Sequence, residues 1–177
     1  MELYFISGNQ GKIQEVQEVL PNIKNIDLDL PELQEIDPMH IIAEKLKVAT
    51  KEIQGQFIVE DTSLYLDCIN GLPGPLIKWF LQSLGNEGIY ELISNYGNSN
   101  AIAKSIIGYY DGKEMHFFVG EMKGTIVQPK GDAGFGWDKI FMPEGYDKTF
   151  AELAAENRKP SMRKIALHKL KDFISKI

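Results

Sequence analysis

A mixed α/β sheet is the fold class this sequence predicts, and three observations predict it. Early in the chain, short apolar runs alternate with segments of helical periodicity, the pattern of strands linked through helices. Later, two β-rich runs flank Asp111-Gly112, a turn signal that closes an antiparallel hairpin. The 177 residues, 44% of them hydrophobic, show no repeat, low-complexity tract or flexible linker, so residues 1–177 read as a single domain.

Glu2 to Ile6 reads as a short buried strand broken by Ser7-Gly8-Asn9. A helix follows over Gln10 to Leu20, where Ile13, Val16 and Leu20 make one apolar stripe, and Pro21 stops it. Ile23 to Leu30 reads as a second strand ending at Pro31-Glu32. Asp37 is positioned to cap a helix over Pro38 to Gln54, with Ile42, Leu46, Ala49 and Ile53 at helical spacing and Gly55 as the stop. Phe57 to Glu60 reads as a strand, Asp61-Thr62 as a turn, and Leu64 to Leu66 as the strand beyond it. Asn70 to Pro75 is too rich in glycine and proline to be regular, and helical segments follow over Lys78 to Leu84 and Glu87 to Tyr96. Ala101 to Tyr110 and Glu114 to Val127 are the hairpin strands, then come a glycine loop at Gly131 to Gly136 and a short strand over Trp137 to Phe141. A last helix from Ser161 carries Ala166, Leu170, Phe173 and Ile177 on one stripe; Phe141, Phe150 and Leu153 are assigned to packing.

Composition excludes several functions. A net charge of -6 offers little field for gripping a nucleic-acid backbone, although a few placed lysines can hold a small polyanion. The single cysteine, Cys68, excludes an internal disulfide, and no Cys/His spacing reads as a zinc site. There is no signal-peptide pattern and no apolar stretch of membrane-spanning length, so no membrane partner is expected and the expected location is cytoplasmic. His40, His116 and His168 form no nucleophile pairing, and His116 and His168 read as exposed-face residues.

Three constellations carry chemistry. In the first, Ser7, Gly8 and Asn9 lie between a strand and a helix, where free N–H groups and the helix dipole face an anion, with Lys12 one turn on. Many such turns merely cap a helix, and a Walker loop is absent. In the second, Glu60 and Asp61 end a strand. Adjacent strand side chains point to opposite faces, so one of them enters a given cleft, and Asp61 is chosen. One carboxylate with phosphate oxygens and waters suffices for Mg²⁺; Glu32 is a candidate second ligand, or a solvated turn acid. Lys45 and Lys78 are together further candidates for neutralising phosphate charge, or each is a solvated surface lysine. In the third, Phe135, Gly136, Trp137 and Asp138 form a loop in which aromatics can stack on a planar ligand while a polar group reads its edge. The competing reading is a core tryptophan beside a tight turn. Ser161 and Arg163 either add bonds to a base or cap and solvate the last helix.

The chain resembles the inosine/xanthosine triphosphate pyrophosphatases, house-cleaning enzymes for non-standard purine nucleotides. The likeness runs over nearly the full length. Its motifs are Ser7-Gly8-Asn9 with Lys12, Asp29-Leu30-Pro31-Glu32, Val59-Glu60-Asp61-Thr62, Gly71-Leu72-Pro73-Gly74-Pro75 with Lys78-Trp79-Phe80, Phe135-Gly136-Trp137-Asp138 and Thr149-Phe150-Ala151-Glu152. The resemblance implies a two-lobed α/β fold with a long mixed sheet and a cleft between lobes, a homodimer, and Mg²⁺-dependent cleavage between the α- and β-phosphates, with Mn²⁺ as a substitute. It implies phosphate contacts from Ser7 to Lys12, Lys45 and Lys78, and substrate contacts from Thr62 and Lys159. Metal and catalytic roles fall to Glu32 and Asp61, and a base pocket to Phe135, Gly136, Trp137, Asp138, Ser161 and Arg163. One departure is local: the family's Lys-Asn-x-x-Ser-His-Arg stretch reads here Arg158-Lys159-Pro160-Ser161-Met162-Arg163, which leaves Arg158 and Lys159 as alternative contacts. The expected function is hydrolysis of ITP, dITP or XTP to the monophosphate and pyrophosphate. A purine-nucleotide sensor without turnover and a pyrophosphatase for modified pyrimidine triphosphates are the alternatives.

Overall fold

The computed structural model describes residues 2–176; Ile177, placed above on the last helix stripe, lies outside them. The strands β1 (Leu3–Ile6), β2 (Lys24–Ile26), β3 (Gln56–Leu66), β4 (Pro73–Gly74), β5 (Asn100–Tyr110), β6 (Met115–Ile126) and β7 (Phe141–Pro143) form one mixed sheet in the order β2-β1-β3-β5-β6-β7, with β4 on β3. β1 pairs in parallel with β2 and β3, whereas β4 and β7 pair antiparallel with β3 and β6. The helices are α1 (Gln10–Val19), α2 (Pro38–Glu52), α3 (Ile77–Ser94), α4 (Phe150–Ala155) and α5 (Met162–Ile174). The described residues fold as two compact units, 2–62 with 105–120 and 162–176, and 63–104 with 121–161.

The first unit has two cores, and strand alternation sorts residues between them. Phe5, Ile58, Ile107 and Tyr109 meet the buried faces of α1 and α5, supplied by Ile13, Val16, Ala166, Leu167 and Leu170. Their strand neighbours Ile6, Phe57, Val59 and Ile106 pack instead on Ile42, Leu46 and Ala49 of α2. Asp37 caps α2 as expected, its side chain accepting from Met39 N with Pro38 in the first turn. Where helices press closest, glycine replaces a side chain. A Cβ on Gly120 of β6 would lie 1.9 Å from the Met162 carbonyl oxygen at the start of α5, and one on Gly108 would lie 2.4 Å from Ile42 Cγ2.

The second unit gathers Trp137, Phe141 and Phe150 into an aromatic core, with centroid separations of 5.5, 6.0 and 4.8 Å. α3 is broken at Gly85, whose φ of 66° and ψ of -179° match the two helical segments expected there.

Several expectations are corrected. The second strand is only Lys24–Ile26, because its one partner, β1, ends at Ile6, which pairs with Ile26. Asp61-Thr62 is not a turn: β3 runs unbroken through both residues, so Glu60 and Asp61 stand mid-strand. Trp137 to Ile140 is turn rather than strand, closed by Asp138 N to Phe135 O and Ile140 N to Trp137 O, and extended structure begins at Phe141. α4 was missed, although Thr149 and Glu152 form a reciprocal capping box of the Thr-x-x-Glu kind. The loop expected at Asn70 to Pro75 includes β4, held to Leu64 and Tyr65. His116 is not an exposed-face residue; its ring lies 4.6 Å from that of Phe173 and its Nε2 is 2.9 Å from Asp111 Oδ2.

Gly120→Ala is expected to destabilise the protein by about 3 kcal/mol, the upper range for overpacking against a backbone that cannot swing away. Urea unfolding measures it.

Candidate functional site

β1 hands the chain to α1 through Ser7-Gly8-Asn9. Ser7 N donates to Ile26 O, the Asn25 side chain donates to Ser7 O, and Asn9 N donates to Ser7 Oγ, which fixes the turn. A Cβ on Gly8 would lie 3.0 Å from Asp27 Oδ1, so the turn is tight as well as bonded. Asn9 is the cap of α1, its side chain accepting from Lys12 N, and Asn9 O accepts from Ile13 N. The loop thus caps the helix and leaves Gly8 and Asn9 exposed at its N-terminus.

Lys12 turns back from α1 onto Glu60, its Nζ 2.7 Å from Oε2. Glu60 has a fully buried side chain, and its Oε1 accepts from Thr62 Oγ1 at 2.5 Å and Ser105 Oγ at 2.6 Å, with Arg163 Nε at 3.2 Å. Arg163, 1% exposed, also donates to Glu15 Oε2 at 2.7 Å and Thr62 Oγ1 at 2.9 Å. Burial alone would raise the Glu60 carboxyl, but the charges of Arg163 and Lys12 and the bonds from Lys12 and Ser105 outweigh it and hold the group far below the usual carboxylate range. For Arg163, burial works against the charge and is overcome by Glu60 and Glu15, so its value is raised.

Asp61 leaves β3 on the opposite side, toward α2. Lys45 Nζ donates to its Oδ1 at 2.7 Å, the two side chains being 13% and 18% exposed. Two of the three lysines expected to meet phosphate, Lys12 and Lys45, thus rest on neighbouring carboxylates of one strand, from different helices. Among the described residues no group of three or more His, Cys, Asp and Glu side chains gathers as a metal cluster. Asp61, a hard oxygen donor with part of its surface open, fits the role of a single carboxylate ligand to a small divalent ion completed by phosphate and water. Glu60 does not, since cations and hydroxyls surround its oxygens. Glu32 lies exposed in the irregular segment before α2.

In the second unit Asp138, 4% exposed, accepts from Phe135 N at 3.0 Å and from Lys159 Nζ at 2.8 Å. The Lys159 ammonium stands 4.9 Å from the Phe135 ring centroid and 5.1 Å from that of Phe150. Gly134 allows this closure, since a Cβ there would meet Asp138 Oδ2 at 2.3 Å. Trp137 is buried against Phe141 and Phe150, whereas Phe135 stays half-buried at the loop tip. Gly136 O accepts from the Asn86 side chain, Ser161 is buried, and Lys78 lies exposed beside the Trp79 ring at 5.7 Å. Of the pair left open, Lys159 is the one turned inward, while Arg158 is exposed and pairs with Glu156 at 3.4 Å. Sequence reasoning missed Glu60, Ser105 and Glu15 as parts of the first unit's charge network. Glu60 carries a signal, two residues from Thr62 on the same strand face; Ser105 and Glu15 carry none.

Because Glu60 has a folded-state value below its unfolded one, its contribution is complete above the ordinary carboxylate range and is lost as pH falls toward the lowered value. Glu60→Gln, which leaves buried Arg163 undercompensated, is expected to cost about 3–5 kcal/mol at neutral pH. It is also expected to flatten the acid limb of a stability profile measured by urea unfolding from neutrality down to pH 3.

The family model for the Ham1 family matches residues 3–173. An inosine triphosphate pyrophosphatase from Schizosaccharomyces pombe is 41% identical over 178 residues, covering 97% of this chain and 94% of that protein. Among solved structures, the Staphylococcus aureus Ham1 protein matches with a TM-score of 0.75 at 26% identity, covering 98% of both chains. A HAM1 protein from Coxiella burnetii gives a TM-score of 0.86 at 22% identity over 100% of both, which speaks to the fold. A nucleoside-triphosphatase / dITP/XTP pyrophosphatase from Mycobacterium abscessus gives 0.66 at 25% identity, covering 90% of this chain and 95% of that one. Helix-linked parallel strands, the carboxylate pair on β3 and a family match across nearly every residue lead to one conclusion: the chain belongs to the Ham1 family.

Proposed function

We propose that this protein hydrolyses ITP, dITP and XTP to the nucleoside monophosphate and pyrophosphate, removing non-standard purines from the nucleotide pool. The observation that carries the reading is the 41% identity to an inosine triphosphate pyrophosphatase across 97% of the chain. The Asp61–Lys45 pair and the capped α1 N-terminus supply the chemistry that activity needs.

In this reading Ser7, Gly8, Asn9, Lys12, Lys45, Thr62 and Lys78 bind the phosphates. Asp61 and Glu32 hold a divalent cation, Mg²⁺ with Mn²⁺ as a substitute. When bound, the cation supplies charge neutralisation at the phosphate oxygens. Asp61 orients a water for in-line attack and accepts its proton. Lysine ammonium groups and first-turn amides of α1 stabilise charge gathering on the leaving pyrophosphate, the term expected to dominate such a reaction. Phe135, Gly136, Trp137, Asp138, Lys159, Ser161 and Arg163 are assigned to the base. Within that group stacking is assigned to Phe135 and a polar contact to Lys159, a reading supported by Asp138 holding the Phe135 amide and the Lys159 ammonium together. Thr62 and Arg163 are in addition engaged with Glu60 beneath Lys12. Donors aimed at a 6-oxo group would be left unpaired, or opposed, by an adenine amine. The resemblance further supports a homodimer working in the cytoplasm, and the net charge of -6 supports a small substrate rather than nucleic acid. Among the described residues no helix is long and apolar enough to cross a membrane.

Asp61→Asn is expected to lower turnover by roughly 10²–10⁴-fold, the usual worth of a positioned general base, with nucleotide binding retained. Pyrophosphate release and equilibrium binding, measured side by side, separate the two. In a panel of ITP, XTP, dITP, ATP, GTP and modified pyrimidine triphosphates, with and without Mg²⁺, ITP is expected to outpace ATP at least about 100-fold in kcat/KM. Binding of ITP without pyrophosphate release would replace the enzyme with a sensor.

A further inference from the structure

Lys45 occupies the carboxylate that the proposed function gives to a metal. Its Nζ is 2.7 Å from Asp61 Oδ1, and both side chains are largely shielded from water. The helix that carries it cannot withdraw, because Ile42, Leu46 and Ala49 of α2 are fully buried in the core. Only the four-carbon stem can move. Glu60 differs: it keeps Arg163, Ser105 and Thr62 whatever Lys12 does. Among the described residues no second cation is paired with Asp61, and no carboxylate cluster exists nearby to hold a divalent ion by itself.

We propose that Lys45 is an exchangeable counter-ion, which neutralises Asp61 until a polyphosphate draws the ammonium away and opens the carboxylate to a divalent cation. This rests on the reading of Asp61 as the metal carboxylate and deepens it. An ammonium in contact with one oxygen of a shielded carboxylate repels a dication approaching the other, so metal alone binds poorly. Phosphate oxygens offer Lys45 an equal or better partner. Its transfer leaves Asp61 charged and uncompensated, so metal and nucleotide each raise the other's affinity by the same factor, as linkage requires. The device keeps Asp61 neutralised when no substrate is present, and it spares the chain a dedicated multi-carboxylate cage.

The test is a Mn²⁺ titration followed by the electron paramagnetic resonance signal of free Mn²⁺, without nucleotide, on wild type, Lys45→Met, Lys45→Gln and Lys45→Arg. A parallel titration uses the α,β-imido analogue of ITP in EDTA. Lys45→Met and Lys45→Gln are expected to bind Mn²⁺ at least tenfold tighter than wild type and the analogue at least tenfold weaker. Lys45→Arg is expected to stay within threefold of wild type for Mn²⁺, and Asp61→Asn added to Lys45→Met is expected to erase the gain. Wild-type affinity for Mn²⁺ in both uncharged variants would overturn the exchange while leaving the site assignment intact. Failure of wild type to bind the analogue at all, with or without Mn²⁺, would instead overturn the site assignment.

Discussion

The first unit depends on a carboxylate that has no access to water. Glu60 ties β3 to α1 through Lys12, to α5 through Arg163 and to β5 through Ser105, so one residue sets the relation of two strands and two helices at once. A lone ion there would be untenable, and its neighbours would be as costly without it. The network is satisfied only as a whole. That is why the positions of Lys12 and Thr62, which look like independent surface choices in the sequence, are coupled in the fold.

Strand alternation then gives the neighbouring carboxylate a different fate. Asp61 faces α2 and keeps one cation and some solvent, whereas Glu60 is enclosed by several donors. Two acids adjacent in sequence thus become a structural fixture and a reactive group with no difference in their side-chain chemistry beyond a methylene. The second unit repeats the theme at Asp138, where a buried carboxylate holds a loop amide and the Lys159 ammonium beside two phenyl rings. In both units the acid orders a cation that is less buried than itself.

Much of this was legible in the sequence because it rests on local rules. The stripes of α1, α2 and α5, the Asp37 cap, the hairpin at Asp111-Gly112 and the opposed fates of Glu60 and Asp61 follow from periodicity and turn chemistry. What was not legible depended on partners distant in the chain. β2 stops early because β1 does, and β3 continues past Asp61 because β4 pairs with it further along. Arg163 reads as a helix-start residue until Glu15 and Glu60 enclose it. Trp137 reads in the sequence equally as a ligand platform or a core residue, and its core partners Phe141 and Phe150 are too distant in the pattern to be read from it. The Thr149–Glu152 box, by contrast, is a local signal of the same legible kind.

The unbroken run of β3 has a consequence for how this chain can diverge. Side chains along it alternate with a period of two, so deleting or inserting a single residue just ahead of Glu60 would exchange the faces of both acids. Arg163 would then confront the wrong carboxyl and Lys45 the other. Drift in this stretch is therefore confined to replacement at fixed length, and variation in length must collect elsewhere, as in the irregular stretch between β2 and α2.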